Sequence, residues 1–143
     1  MKKDVIISLN SLIDTGGEPD RLLIETVGKM MYKDSVLYLT YKETEESGYD
    51  GCSVLVKMEG EDLVSITRSG EYTSHLIIQS GKRNICSYSS PAGVLSLGLS
   101  CDKIDVKYKN DEPCEICLKY EMDINSELVS KNQLIIKIKE RKN

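Results

Sequence analysis

The sequence contains no tryptophan and no phenylalanine, and its only aromatic side chains are eight tyrosines. A core drawn from such a composition is aliphatic, built from Ile, Leu, Val and Met. Tyr is expected where its hydroxyl can reach a partner. No run of eighteen apolar residues occurs, so a spanning helix is not expected. No apolar stretch precedes a small-residue cleavage site, so a secretory signal is not expected either. The cysteines, Cys52, Cys86, Cys101, Cys114 and Cys117, number five. That number is odd and the spacings fit no disulfide framework, which points to a reduced, cytoplasmic setting. The formal net charge is −4. Such a balance attracts neither a phosphate backbone nor an anionic bilayer, so nucleic acid and membrane are not expected partners. The most basic stretch is Lys137, Lys139, Arg141 and Lys142. Its lysines alternate with Ile136 and Ile138, as on the solvated face of a strand.

What is present is alternation. The chain has 143 residues, 40% of them hydrophobic and 29% charged. Those figures suit one folded domain spanning 1–143 with a core that needs neither metal nor disulfide. Period-two hydrophobic patterning recurs from Asp4 onward, while period 3.6 is hard to find. Strand-like runs cover 4–10, 21–32, 35–43, 51–59, 62–68, 74–79, 85–89, 94–108, 114–124 and 133–141. The 94–108 run is expected to bend near Asp102 and Lys103, and 125–132 reads as a polar connection. Turn clusters such as Ser69-Gly70-Glu71 and Ser90-Pro91-Ala92-Gly93 separate the runs. About ten short strands at this spacing, joined by short connections, predict antiparallel hairpins between sequence neighbours. The expected fold is all-β, an up-and-down barrel of about 8–10 strands, because closure removes the exposed sheet edges.

Five stretches also carry a family resemblance. They are Glu25-Thr26-Val27-Gly28, Tyr38-Leu39-Thr40-Tyr41-Lys42-Glu43, Ile66-Thr67-Arg68-Ser69-Gly70, Tyr88-Ser89-Ser90-Pro91-Ala92-Gly93 and Asn132-Gln133-Leu134-Ile135-Ile136-Lys137-Ile138. In this order and spacing they resemble the YwiB-like proteins of bacteria, the DUF1934 family, along nearly the whole chain. The resemblance implies a calycin-type, lipocalin-like barrel and no particular activity. One departure is Ser90, where the family usually has Thr before the Pro-x-Gly turn; the hydroxyl is retained.

Strand parity nominates the candidate site, since successive side chains point to opposite faces. Tyr41 and Glu43 follow Leu37 and Leu39, Arg68 follows Val64 and Ile66, and Glu25 lies between Leu23 and Val27. A charge directed into a barrel must be paired or wetted. Arg68 is therefore expected to meet Glu25 or Glu43, which its planar fork can hold through two parallel hydrogen bonds. With Tyr41 and Tyr88, these residues form either a structural plug or the polar floor of a ligand cavity. His75, the only histidine, shares a face with Ile77 or lies at the start of that strand, and it has no evident catalytic partners. Cys114-Glu115-Ile116-Cys117 is a CxxC within a strand. Its three-residue offset sends Cys114 inward, to be buried, and Cys117 outward, to be exposed. No metal or other cofactor is expected, and Gly16-Gly17 reads as a turn. The first functional reading is a non-enzymatic barrel holding a small apolar or amphipathic ligand inside. The second is a filled barrel that docks a protein. The third is a hydrolase using inward carboxylates such as Glu25 and Glu43.

Overall fold

The structure, a computed structural model, describes residues 2–141; Lys142 of the basic stretch lies outside them. Ten strands follow one another: β1 (Lys3–Asp14), β2 (Asp20–Lys33), β3 (Val36–Lys42), β4 (Ser53–Glu59), β5 (Leu63–Ser69), β6 (Ser74–Gln79), β7 (Lys82–Ser90), β8 (Gly93–Lys109), β9 (Glu112–Ile124) and β10 (Glu127–Glu140). Each pairs antiparallel with its sequence neighbours, and β1 pairs with β10 to close the barrel. A single 3-10 turn, Glu45–Ser47, lies between β3 and β4. No helix among the described residues is long and apolar enough to cross a membrane.

The turns show why the meander is so tight. Asp34–Ser35, Asn110–Asp111 and Asn125–Ser126 each put two successive residues at positive φ. That is the two-residue hairpin geometry whose twist matches the flanking strands, and Asn and Asp tolerate it best after Gly. In β8 the register shifts between Cys101 and Lys103. This bulge is the expected bend, and it lets Leu99 and Cys101 before it, and Ile104 after it, all be buried. The segment expected as a polar connection, 125–132, is instead mostly strand. It enters β10 through a register shift between Leu128 and Ser130. Asn132 donates from Nδ2 to Ser130 Oγ at 3.0 Å, so these two buried polar residues satisfy one another.

The interior is packed. Buried residues from all ten strands form one hydrophobic cluster, with Ile7, Leu37, Leu39, Met58, Val64, Ile78, Ile116, Leu118 and Ile136 fully enclosed. Two glycines allow close approaches. A Cβ on Gly28 would collide with the Thr40 carbonyl oxygen and would lie 2.7 Å from Ile7 Cδ1. Gly98 passes beneath a paired Arg83 and Asp123, whose atoms would lie 2.5 Å from a Cβ there. Arg83 holds that carboxylate through two hydrogen bonds, at 2.9 and 2.6 Å.

Gly28→Ala is therefore expected to destabilise the fold by about 2 kcal/mol or more, the scale of an overpacked core. Gly17→Ala, where a Cβ meets nothing within 4 Å, is expected to stay within about 0.5 kcal/mol of the parent. Urea unfolding of the two variants measures the contrast.

Candidate functional site

The barrel has two chemically different ends. At the end where β3 and β5 finish, Leu37, Leu39 and Tyr41 continue as an inward row to Glu43, while Val64 and Ile66 lead to Arg68. The Arg68 and Glu43 side chains keep only 14% and 8% of their exposure, and Arg68 Nη2 lies 3.5 Å from Glu43 Oε1. Arg68 Nη1 donates to Ser74 Oγ at 3.4 Å. The Tyr49 ring covers the guanidinium, 3.7 Å from its carbon, and Tyr88 stands 5.7 Å away. The Tyr49 and Tyr88 hydroxyls share a hydrogen bond of 2.5 Å, and Tyr72 packs edge-on against Tyr49. A cation stacked on a desolvated aromatic face gains about 2 kcal/mol, which helps offset the burial of Arg68.

Tyr41, Glu43 and Arg68 thus come together as strand parity implies, and Tyr88 joins them, but Glu25 does not. Its side chain is exposed on the outer face of β2, with Leu23 and Val27, because Ile24, Thr26, Gly28 and Met30 form the inward row. A Glu25–Glu43 acid–base pair is therefore ruled out geometrically. The fork of Arg68 is also not filled through two parallel bonds. Glu43 meets one nitrogen only, and Arg68 Nε is buried without a hydrogen-bond partner among the described residues. Tyr49, Tyr72 and Ser74 escaped the sequence reading. The first two lie outside the strands, where no periodicity announces an inward side chain.

His75 lies exposed at the start of β6 and makes a 2.8 Å hydrogen bond through Nδ1 to Thr67 Oγ1, its cross-strand neighbour. Cys114 and Cys117 do occupy opposite faces of β9. The expected contrast in burial fails, because both are half-buried. Cys114 belongs to the inward row but lies near its strand's start, where the barrel opens. The fully buried thiols are Cys52, Cys86 and Cys101.

At the opposite end, where the chain enters at Lys3, the barrel opens into a cavity of about 750 Å³. Val5, Met30, Pro113, Cys114 and Ile138 line it with apolar surface, and Lys3, Lys109, Glu112, Lys139 and Glu140 add charge. Lys3 and Glu112 form an ion pair that links β1 to β9. None of the site residues nominated by strand parity lies here. The only available signal was that the inward rows of β1, β9 and β10 end in Lys3, Glu112 and Glu140.

Two measurements probe this arrangement, the first at the Arg68 end. With the pair largely dry, Arg68→Met is expected to cost about 3 kcal/mol by leaving Glu43 buried and unpaired. Adding Glu43→Gln should recover part of that loss in a double-mutant cycle, whereas adding Glu25→Gln should recover none. Tyrosinate absorbance provides the second measurement. Burial, the shared hydrogen bond with Tyr88 and the charge of Glu43 push Tyr49 up to about 12 against the opposing pull of Arg68. Burial pushes Tyr120 to about 12 as well, and Tyr108 reaches about 12 through burial and its Glu61 and Tyr32 neighbours. Tyr41 is raised too, mainly by burial and then by Glu43. Raised acids favour the folded state while neutral. Their contribution is complete below the unfolded value of about 10 and is lost as the pH climbs from there through about 12. At pH 11 the folded protein should therefore show fewer tyrosinates than the urea-unfolded chain. Ionisation of all eight tyrosines with unfolded-like values would contradict the arrangement.

The comparisons with known proteins agree with this fold. No curated protein matches the chain. A crystal structure of the ywiB protein from Bacillus subtilis superposes with a TM-score of 0.81 at 20% sequence identity, covering 99% of this chain and 94% of that one. At that identity the likeness speaks for the fold. A family profile described as a domain of unknown function, DUF1934, matches residues 7–136. The chain belongs to the DUF1934 family.

Proposed function

We propose that the chain is a non-enzymatic binding module that takes a small amphipathic molecule into the cavity at the Lys3 end of the barrel. The observation that carries this reading is the cavity itself. Its volume of about 750 Å³ falls within the usual range for ligand sites. Its lining joins an apolar patch of Val5, Met30, Pro113 and Ile138 to a charged margin. Lys3 and Glu112 neutralise each other. Of the remaining charges, Lys109 and Lys139 outnumber Glu140, so the margin favours an anionic head over a cationic one. The seat therefore differs from the one expected around Arg68. The middle of the barrel is packed with aliphatic side chains, which leaves the ends as the places for a ligand. The Arg68 cluster is already covered by Tyr49 and paired with Glu43 and Ser74, which suits a plug that closes the other end.

On this reading the protein is a lipocalin-like, calycin-type binder in a bacterial cytoplasm. Its five cysteines, all free, suit that reduced compartment, and its partners are neither nucleic acid nor membrane. A second reading, a protein-docking module, is favoured by one observation. Leu23, Val94, Leu95, Leu128 and Val129 are exposed around the Arg68 end, where the β1–β2, β7–β8 and β9–β10 hairpins project.

The cavity offers its own reporter with an internal control. Cys114 lines it, and Cys117 faces the other way from the same strand. A saturating medium-chain fatty acid is expected to slow thiol labelling of Cys114 while leaving Cys117 unchanged. Because the chain has no tryptophan, Ile138→Trp places a single fluorophore in the cavity, and its emission should shift to the blue as the same ligand binds. If neither signal responds to any of a panel of anionic, neutral and cationic amphiphiles, the binding reading fails and the docking reading takes its place.

A further inference from the structure

The strand β2 is paired along most of its length on one side and along less than half of it on the other. Against β1 it pairs from Met30, opposite Lys3, to Asp20, opposite Ile13. Against β3 it pairs only from Gly28 to Lys33. The stretch Asp20–Val27 therefore extends beyond β3 with no ladder on that side among the described residues. The devices that usually blunt such an edge, a proline, a lysine or a bulge, do not interrupt Leu22-Leu23-Ile24-Glu25-Thr26-Val27. Its outward residues include two of the exposed large apolar side chains, Leu23 at 69% and Val27 at 54%.

The outward row, Arg21, Leu23, Glu25, Val27, has a property that singles out one occupant. When two copies of a strand pair antiparallel about a twofold axis, directly opposed residues share a face, so one residue sits on the axis opposite itself. With Leu23 on the axis, Leu23 meets the second copy's Leu23. Arg21 of each copy then faces Glu25 of the other, giving two symmetric opposite-charge pairs. On the inner face Leu22 opposes Ile24. Shifting the axis to Ile24 sets Leu23 against Glu25, and shifting it to Glu25 or Arg21 sets like charges against each other. Only the register centred on Leu23 matches opposite charges and apolar with apolar at the residues around the axis, Arg21 to Glu25; beyond them Asp20 faces Thr26.

We propose that the Asp20–Val27 edge is a self-association surface, through which two copies join by antiparallel β2–β2 pairing centred on Leu23. The mode is strand addition at an open edge: main-chain hydrogen bonds supply affinity, and the Arg21–Glu25 pairs select the register. The surface belongs to the hairpin opposite the Lys3 cavity, so the proposal stands or falls independently of the ligand reading.

Sedimentation velocity across a concentration series tests it. The parent protein is expected to be a dimer dissociating on dilution. Arg21→Glu and Glu25→Arg each replace two attractive cross-strand pairs by two repulsive ones, and each is expected to weaken the dimer by about tenfold or more. The double variant Arg21→Glu/Glu25→Arg restores opposite charges and should recover most of the affinity. Leu23→Lys places two ammonium groups on the axis and should give a monomer. All these side chains are exposed, so thermal unfolding of the monomeric variants confirms that they fold. A parent protein monomeric at every concentration would overturn the proposal, as would a dimer indifferent to the single reversals or a double variant no tighter than either single one.

Discussion

The ladder between β1 and β10 is the constraint on which the rest depends. It runs from Val5 opposite Glu140 to Asp14 opposite Lys131, joining the first strand to the last. Without it the meander would be an open sheet with two long hydrophobic edges. With it, every inward row shares one interior, and the interior of a ten-strand ring must be filled from all sides at once. The aliphatic composition suits that task. Branched and flexible side chains such as Ile7, Leu37, Met58 and Ile116 interdigitate without the bulk of a Phe or Trp.

Closure also decides where chemistry can occur. A solid middle leaves the surface and the two ends, and the ends are finished differently. At one, Arg68 and Glu43 replace aliphatic side chains in their rows and are covered by Tyr49, a residue outside the strands. At the other, the apolar rows of β1, β9 and β10 give way after Val5, Cys114 and Ile138 to the charged Lys3, Glu112 and Glu140, which ring the opening without an aromatic cover, and the cavity results. The plug and the opening are consequences of one arrangement. Strands β3 to β6 are short, with six or seven residues each, and end under a loop, whereas the five strands β8, β9, β10, β1 and β2 run to 12 residues or more.

How much of this was legible in the sequence varied with the clarity of alternation. In β3 and β5 only one face is apolar, so Tyr41, Glu43 and Arg68 were placed inward correctly. In β2 both faces carry apolar residues, with Leu22, Ile24 and Met30 on one and Leu23, Val27 and Met31 on the other. Thr26 and Gly28 weaken the row that points inward, and Glu25 was accordingly assigned to the wrong side. Gly28 belongs in that row because the Thr40 carbonyl approaches it, a tertiary requirement that periodicity does not encode. The polar stretch before Gln133 looked like a connection because Ser130 and Asn132 are inward but satisfy each other across two residues. Burial at strand ends was the other gap. Parity sets the face of Cys114, while the length of the neighbouring strands sets how deeply it is covered.

Amide hydrogen exchange resolved by residue tests the closed barrel most directly. If closure governs the structure, ladder amides in the middle of β1 and β10, around Ile7, Leu9, Ile136 and Ile138, should exchange only through global unfolding, with the same free energy as the β3–β4 and β4–β5 ladders. Exchange of the β1–β10 amides well ahead of those ladders, through a lower-energy opening, would show the ring to be a sheet with a weak seam and would contradict the account.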